Sequence, residues 1–352
     1  MTSLAVGSAG VGLIGYGISG SSLHAPLIGA EPRLRLRVVA SRSPERVLRD
    51  LPDARVVPSA SDLLDDPAVE LVVIAAPNEV HFGLAAEVLR ADRHVVVDKP
   101  FVPTSAEADE LVELARQRER VLAVFHNRRW DGDYLTVQRC VEEGLLGGVS
   151  TYVARYDRFR PTPEGGWREE DRAASGVLYD LGSHLVDQAL HLFGPPGTVF
   201  ADVGIQRPGG VVDDYFHLLL SYGELRVILH AGSLVRAGGP RFEVHGDRGS
   251  YLKSGVDGQV AALLAGRRPG DAGWGIEPDD RYGTLTTSLG GLIATGRLAT
   301  VPGSYESFYR GVAAAILDGG PVPVSGADAA ATIRVLECAL TSSREGRRVA
   351  LR

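Results

Sequence analysis

A glycine loop near the start constrains the fold of this chain more than any other feature. Gly15, Gly17 and Gly20, in the run Gly15-Tyr16-Gly17-Ile18-Ser19-Gly20, follow directly on a short apolar run at residues 11–14. A strand turning through glycines into a helix is the geometry of a dinucleotide-binding unit. The first glycine allows the tight turn, the second lets backbone approach a pyrophosphate, and the third lets helix and strand pack closely. The helix N-terminus adds unpaired N–H groups and the positive end of its dipole. With 43 glycines in 352 residues, the loop alone is a weak signal. Its setting makes it specific. Further apolar runs at 34–40, 71–75, 94–97 and 121–125 alternate with helically spaced stretches such as Leu84, Ala85, Val88 and Leu89. Continuous apolar runs suit strands buried on both faces, so a parallel sheet flanked by helices is expected. Thr104 and Glu107 have the spacing of a capping box at the start of one of those helices.

The pattern changes after Trp130. A helix at 134–143 is followed by strand-like runs at 150–156, 198–205, 215–222, 225–232 and 242–245, interrupted by one strong helical segment at 178–193. Strands in succession predict an α+β domain with a largely antiparallel sheet. Residues 266–283, rich in turn formers, read as a long loop, and a last helix is expected over 327–345. The fold class is therefore α/β: an N-terminal Rossmann domain over 1–126, then a catalytic and oligomerisation domain over 127–352.

The end of the second strand bears on the cofactor. An acid there would hold the ribose 2′-hydroxyl of NAD, but no Asp or Glu occurs between Arg33 and Pro44. Ser41 and Arg42 stand at that place. A serine hydroxyl can hydrogen-bond a 2′-phosphate and an arginine can pair with it, so NADP is the expected cofactor. Charge excludes other partners. The net charge is −7 and no Lys/Arg cluster interleaves with aromatics, so neither nucleic acid nor an anionic membrane is expected. Cys140 and Cys338 have no metal-type spacing, so no metal is expected and a reducing compartment fits. The first residues carry no basic stretch or long apolar core, and a cytoplasmic protein is expected.

Two further stretches carry chemistry. Asp98-Lys99-Pro100 puts a lysine at the C-terminal end of a buried strand, the edge where parallel sheets bind ligands. Asp180, His184 and Asp187 recur at helical spacing and share one face. With the glycine loop and Pro77-Asn78-Glu79-Val80-His81, these stretches resemble the Gfo/Idh/MocA oxidoreductases over essentially the whole chain, with Asp98 where that family usually has Glu. Within the family the chain is similar to the NADP-dependent scyllo-inositol dehydrogenases. That likeness rests on His24-Ala25-Pro26, His126-Asn127-Arg128-Arg129-Trp130-Asp131, Trp167-Arg168-Glu169 and Leu178-Tyr179-Asp180.

The resemblance implies roles. His184 is the acid/base, Asp180 orients its ring, and Lys99 polarises the substrate oxygen and helps fix the nicotinamide ribose. Tyr16, Ile18, Ala76, Pro77, Asn78, His81, Asp98 and Pro100 join the glycines, Ser41 and Arg42 around the cofactor. Trp167 and Arg168 close over it from the second domain. Asn127, Arg129, Tyr156 and Arg158 face the substrate, although Arg129 equally suits a structural ion pair and Tyr156 a strand residue packed on the sheet. The implied substrate is a polyol or sugar, and the implied assembly is a homodimer or homotetramer. Three other readings compete. One is a reductase of another ketose, anhydro-sugar or aldose. A non-catalytic NADPH sensor would have lost Lys99, Asp180 and His184. An NAD-recycling glycosidase fits Ser41-Arg42 poorly.

Overall fold

In the computed structural model, which describes residues 7–166 and 169–351, the apolar runs become six strands. These are β1 (Ala9–Ile14), β2 (Leu34–Ala40), β3 (Arg55–Val57), β4 (Leu71–Ile74), β5 (His94–Val97) and β6 (Leu122–Val124). They lie in the order β3-β2-β1-β4-β5-β6 and pair in parallel. Every residue of β1 and β4 is buried, as expected of central strands covered by helices on both faces. This order reverses direction between β1 and β4, and ligands bind beyond the carboxyl ends of strands at such a point. The glycine loop after β1, Ala76 and Pro77 after β4, and Lys99 after β5 all arrive at that edge. The helix Ser105–Gln117 is capped as the sequence predicts. Thr104 Oγ1 accepts from the Glu107 N–H at 3.3 Å, and Glu107 returns a carboxylate to the Thr104 N–H at 3.1 Å.

The second sheet has nine strands. They are β7 (Val149–Arg155), β8 (Thr198–Gly204), β9 (Tyr215–Tyr222), β10 (Leu225–Gly232), β11 (Phe242–Gly246), β12 (Gly249–Lys253), β13 (Gly283–Leu289), β14 (Leu292–Leu298) and β15 (Val349–Ala350). Their order is β14-β13-β12-β11-β7-β10-β9-β8-β15. Among the described residues β7 and β10 pair in parallel and the remaining pairs are antiparallel. The sheet is mostly antiparallel.

Three features depart from the sequence reading. The segment 178–193 is two windings: a wide π turn at Leu178–Gly182 passes into the α-helix Ser183–Phe193. Strands β12 to β15 and the helix Glu306–Asp318 add to the second half. The C-terminal helix Gly326–Glu345 packs on β8 but also on the helix Ser105–Gln117 of the first sheet, where Ser105 Oγ donates to Glu337 at 2.5 Å. The final segment thus ties the two halves together. Residues 266–278 remain loop, pinned where Trp274 Nε1 donates to Glu306 at 2.9 Å. Cys140 is buried and its thiol is pushed up to about 11 by desolvation, which leaves it unreactive. Among the described residues no helix is long and apolar enough to cross a membrane.

Candidate active site

The glycine loop separates what the fold requires from what it leaves open. A Cβ on Gly15, where φ is +93°, would lie 2.4 Å from the Ala75 carbonyl oxygen, and one on Gly20 would lie 2.2 Å from that of Gly15. Both glycines serve the packing of strand against helix. A Cβ on Gly17 would meet nothing within 4 Å. The protein itself does not need glycine there, so the vacated space faces outward as a cradle into which a pyrophosphate fits. Ile18, on the first turn, is 69% exposed and offers apolar surface at the mouth of the cradle. Tyr16 is buried beside it, its hydroxyl 3.5 Å from Asp50 Oδ2.

At the end of β2, Ser41 Oγ accepts from the Ser43 N–H at 3.1 Å, and Arg42 is exposed with no carboxylate partner among the described residues. Arg46, which the sequence reading passed over, donates to Ser21 Oγ at 3.2 Å from the helix Pro44–Asp50. Its signal was its spacing, one helical turn beyond Arg42. Two cations therefore stand at the rim of the cradle, and the donor set suits a phosphorylated dinucleotide.

At the end of β5, Asp98 stands behind the cradle instead of in it. Its Oδ2 accepts from Ser19 Oγ at 2.5 Å and lies 3.6 Å from His24 Nε2, while its Oδ1 accepts the Lys99 N–H at 2.8 Å. Burial works to raise this carboxyl, but His24, Ser19 and Lys99 hold it well below the usual carboxylate range. His24 in turn meets the Tyr309 hydroxyl at 2.6 Å. Asp98 thus braces the glycine-loop helix against the backbone of Lys99. The expectation that His81 flanks the nicotinamide is likewise corrected. The ring is fully buried, with Nε2 2.9 Å from the Ala76 carbonyl oxygen and Nδ1 3.0 Å from that of Pro100, so it staples two loops together.

Asn78 and Lys99 do reach the cleft. Asn78 Nδ2 donates to the Ala174 carbonyl at 2.8 Å, and Lys99 Nζ donates to both the carbonyl and Oδ1 of Asp180 at 2.8 Å each. These residues, with Pro100 and Gly176, bound a narrow space. Asp180 and Gly176 also line a wider cleft with Arg158, Arg207 and Asp213. The N–H of Leu178 donates to Asp213 at 2.6 Å, which fixes the start of the winding that carries Asp180.

His184 is 4% exposed and lies among cations. Desolvation, then Lys99, Arg128, His126 and Arg241, hold its imidazole well below the ordinary value of 6.5, so it is neutral at neutral pH. Its Nδ1 has no hydrogen-bond partner among the described residues, so the expected orienting of the ring by Asp180 does not run through that nitrogen. His126, absent from the expected site, meets the His184 ring edge to face with centroids 5.9 Å apart. Its sequence signal was its place directly after the β6 run.

Of the expected substrate contacts, Arg129 is corrected. Its Nε and Nη2 donate to Asp187 at 2.9 and 2.7 Å, and both residues are buried. A guanidinium fork held in this way is an internal ion pair. Asp187→Ala, which removes both hydrogen bonds of the buried Arg129 fork and leaves Asp328 at 3.8 Å as its carboxylate neighbour, is expected to destabilise the fold by about 3 kcal/mol. Denaturant unfolding measures this, and a loss below about 1 kcal/mol would contradict it. Tyr156 is buried with the guanidinium carbons of Arg128, Arg158 and Arg241 at 4.8, 5.0 and 5.0 Å from its ring centre. Arg158 stands 3.9 Å from Asp180 Oδ2, and Asn127 is buried on the turn after β6. Trp167 and Arg168 lie outside the described residues.

Comparison with known proteins agrees with this architecture. Residues 9–126 match the family model of an oxidoreductase NAD-binding Rossmann fold, and 138–351 match the C-terminal alpha/beta domain of the same oxidoreductase family. The chain is 42% identical to scyllo-inositol 2-dehydrogenase (NADP(+)) of Bacillus subtilis, over 97% of this chain and 95% of that one. An oxidoreductase structure from Bacillus subtilis superposes with TM-score 0.96 at 42% identity, covering 99% of each chain. Another, from Yersinia pestis, superposes with TM-score 0.94 at 40% identity, covering 100% of this chain and 99% of that one.

Proposed function

Given that this chain belongs to the Gfo/Idh/MocA oxidoreductase family, we propose that it interconverts scyllo-inositol and scyllo-inosose with NADP(H). The observation that carries the reading is the approach of Lys99, Asp180 and His184, from two sheets, to the edge where Gly17 leaves its cradle open. When bound, the dinucleotide accepts or returns the hydride. The remaining tasks fall to side chains. Lys99, held by Asp180, presents an ammonium to the oxygen on which charge develops. His184, neutral in this setting, takes the hydroxyl proton in oxidation and returns it in reduction. The test is to mix the purified protein with NADPH and scyllo-inosose and follow nicotinamide absorbance. The reading requires turnover, and none in reduction with NADPH or in oxidation of scyllo-inositol with NADP would overturn it.

NADP preference follows from the missing acid after β2 together with exposed, unpaired Arg42. The double change Ser41→Asp, Arg42→Ala is expected to weaken NADP binding by tenfold or more, roughly one charge-assisted pair, and to improve NAD binding. Titration of both dinucleotides against both proteins reads this. Equal wild-type affinity for NAD and NADP would contradict it.

The depressed imidazole sets the pH response. A base must be neutral to accept a proton, and His184 stays neutral below 6.5 because burial and four neighbouring groups oppose its charging. The kcat/KM for polyol oxidation is therefore expected to stay level as pH falls through 6.5 and to drop only below it. An acid limb at or above 6.5 would contradict this.

A further inference from the structure

Acid/base histidines are ordinarily held by a hydrogen bond on the ring nitrogen away from substrate, which fixes both tautomer and tilt. Among the described residues His184 has no such bond at Nδ1, which is buried. The Asp180 carboxylate, which could have served, lies against Lys99 Nζ at 2.8 Å. What does meet the His184 ring is His126, with centroids 5.9 Å apart and planes at 81°. That is the edge-to-face arrangement aromatic rings prefer.

His126 is well placed to hold another ring. It is 1% exposed and stands two residues after the end of β6. Its backbone is fixed on both sides: the N–H donates to the Val124 carbonyl at 2.8 Å, and its own carbonyl accepts the Arg129 N–H at 3.1 Å. Its Nδ1 also has no hydrogen-bond partner among the described residues, so no polar contact there explains a histidine.

Taking His184 as the acid/base, a premise on which this inference rests, we propose that His126 is a positioning residue whose ring, in place of a carboxylate, holds the His184 imidazole in the attitude from which it takes the substrate hydroxyl proton. In oxidation the O–H proton passes to His184, the C–H hydride leaves with its electron pair for the dinucleotide, and the C–O bond becomes C=O. His126 exchanges no proton in that step. The arrangement has a chemical consequence. Lys99, Arg128 and Arg241 face His184, while Asp187, Arg129, Lys99 and Asp98 face His126. A carboxylate at Nδ1 would stabilise the imidazolium and slow its return of the proton. A neutral ring orients His184 without that effect, and the imidazolium remains a strong acid toward the alkoxide formed in reduction.

The test compares His126→Ala with His126→Phe in the full chain, using NADP and scyllo-inositol. Alanine is expected to lower kcat by roughly tenfold or more through lost orientation, with NADP affinity unchanged within about twofold. The acid limb of kcat/KM should also move up toward the ordinary imidazole value, because water in the vacated space relieves desolvation of His184. Phenylalanine keeps the ring contact and should restore most of kcat while the limb stays low. His126→Leu, with volume but no ring, replaces alanine if that variant does not fold. A phenylalanine variant as slow as the ringless one, or a ringless variant with wild-type kcat and an unmoved limb, would overturn the proposal. His184→Ala separates the premise. Full turnover in that variant removes the acid/base reading, whereas an inactive His184→Ala beside indifferent His126 variants removes only the positioning role.

Discussion

His184→Ala is expected to lower turnover by roughly 10²–10⁴-fold, the usual range for a positioned acid or base, while NADPH affinity changes little. The ring is carried by the helix Ser183–Phe193, and the groups that act on it are Lys99, Arg128, His126 and Arg241, with Arg42 not among them. Its loss therefore removes a proton acceptor without touching the phosphate end of the site. His184 is 4% exposed, so a folding check belongs with the measurement. Near wild-type turnover in a folded His184→Ala protein would remove this residue from the chemistry.

Lys99→Ala should cost roughly 10²–10³-fold in kcat, the scale seen when one preorganised donor to a developing oxyanion is lost. It should also leave the Asp180 carboxylate without its partner at 2.8 Å. With the Lys99 ammonium gone, the negative charge of Asp180 opposes charge developing on the substrate oxygen, so the double change Lys99→Ala, Asp180→Ala is expected to be less impaired than the sum of the two single effects. A double-mutant cycle with coupling near zero would show that Lys99 and Asp180 do not act as a unit.

The parts of the fold that were legible in the sequence are those where burial repeats. β1, β4, β5 and β6 are short apolar runs with almost no exposed residue, and the glycine loop fixed which strand came first. β14 left no such trace, because six of its seven residues are exposed and no alternation marks a buried face. The π turn before His184 was invisible for a related reason. Helical spacing reports which residues share a face, and one wide turn changes the winding without changing the composition.

The proposed catalytic trio was legible as residue types at characteristic places, but its internal pairing was not. Asp180 sits four residues before His184 on a shared helical face, and the resemblance implied that it orients the ring. The bond that forms runs across the cleft to Lys99, 81 residues away in sequence. Arg129 shows the same limit. Its type and position suited substrate, yet its fork is closed by Asp187, a partner 58 residues on that only the tertiary fold supplies. Arg46 belongs to no motif, and His126 opens the stretch 126–131 without any role attached to it, so neither was assigned to the site. Their importance lies in what they stand beside.

The central claim is that this site is built for an NADP-linked polyol, and one measurement reaches it directly. The kcat/KM values for scyllo-inositol, myo-inositol, glucose and xylose are determined with NADP and with NAD. In scyllo-inositol every hydroxyl is equatorial, so the departing hydrogen is axial and polar groups must ring the molecule's edge. A site shaped to hydrogen-bond hydroxyls discriminates strongly among such isomers. The account predicts that scyllo-inositol with NADP gives the highest value. Good turnover of an aldose, with scyllo-inositol inert under both dinucleotides, would contradict it.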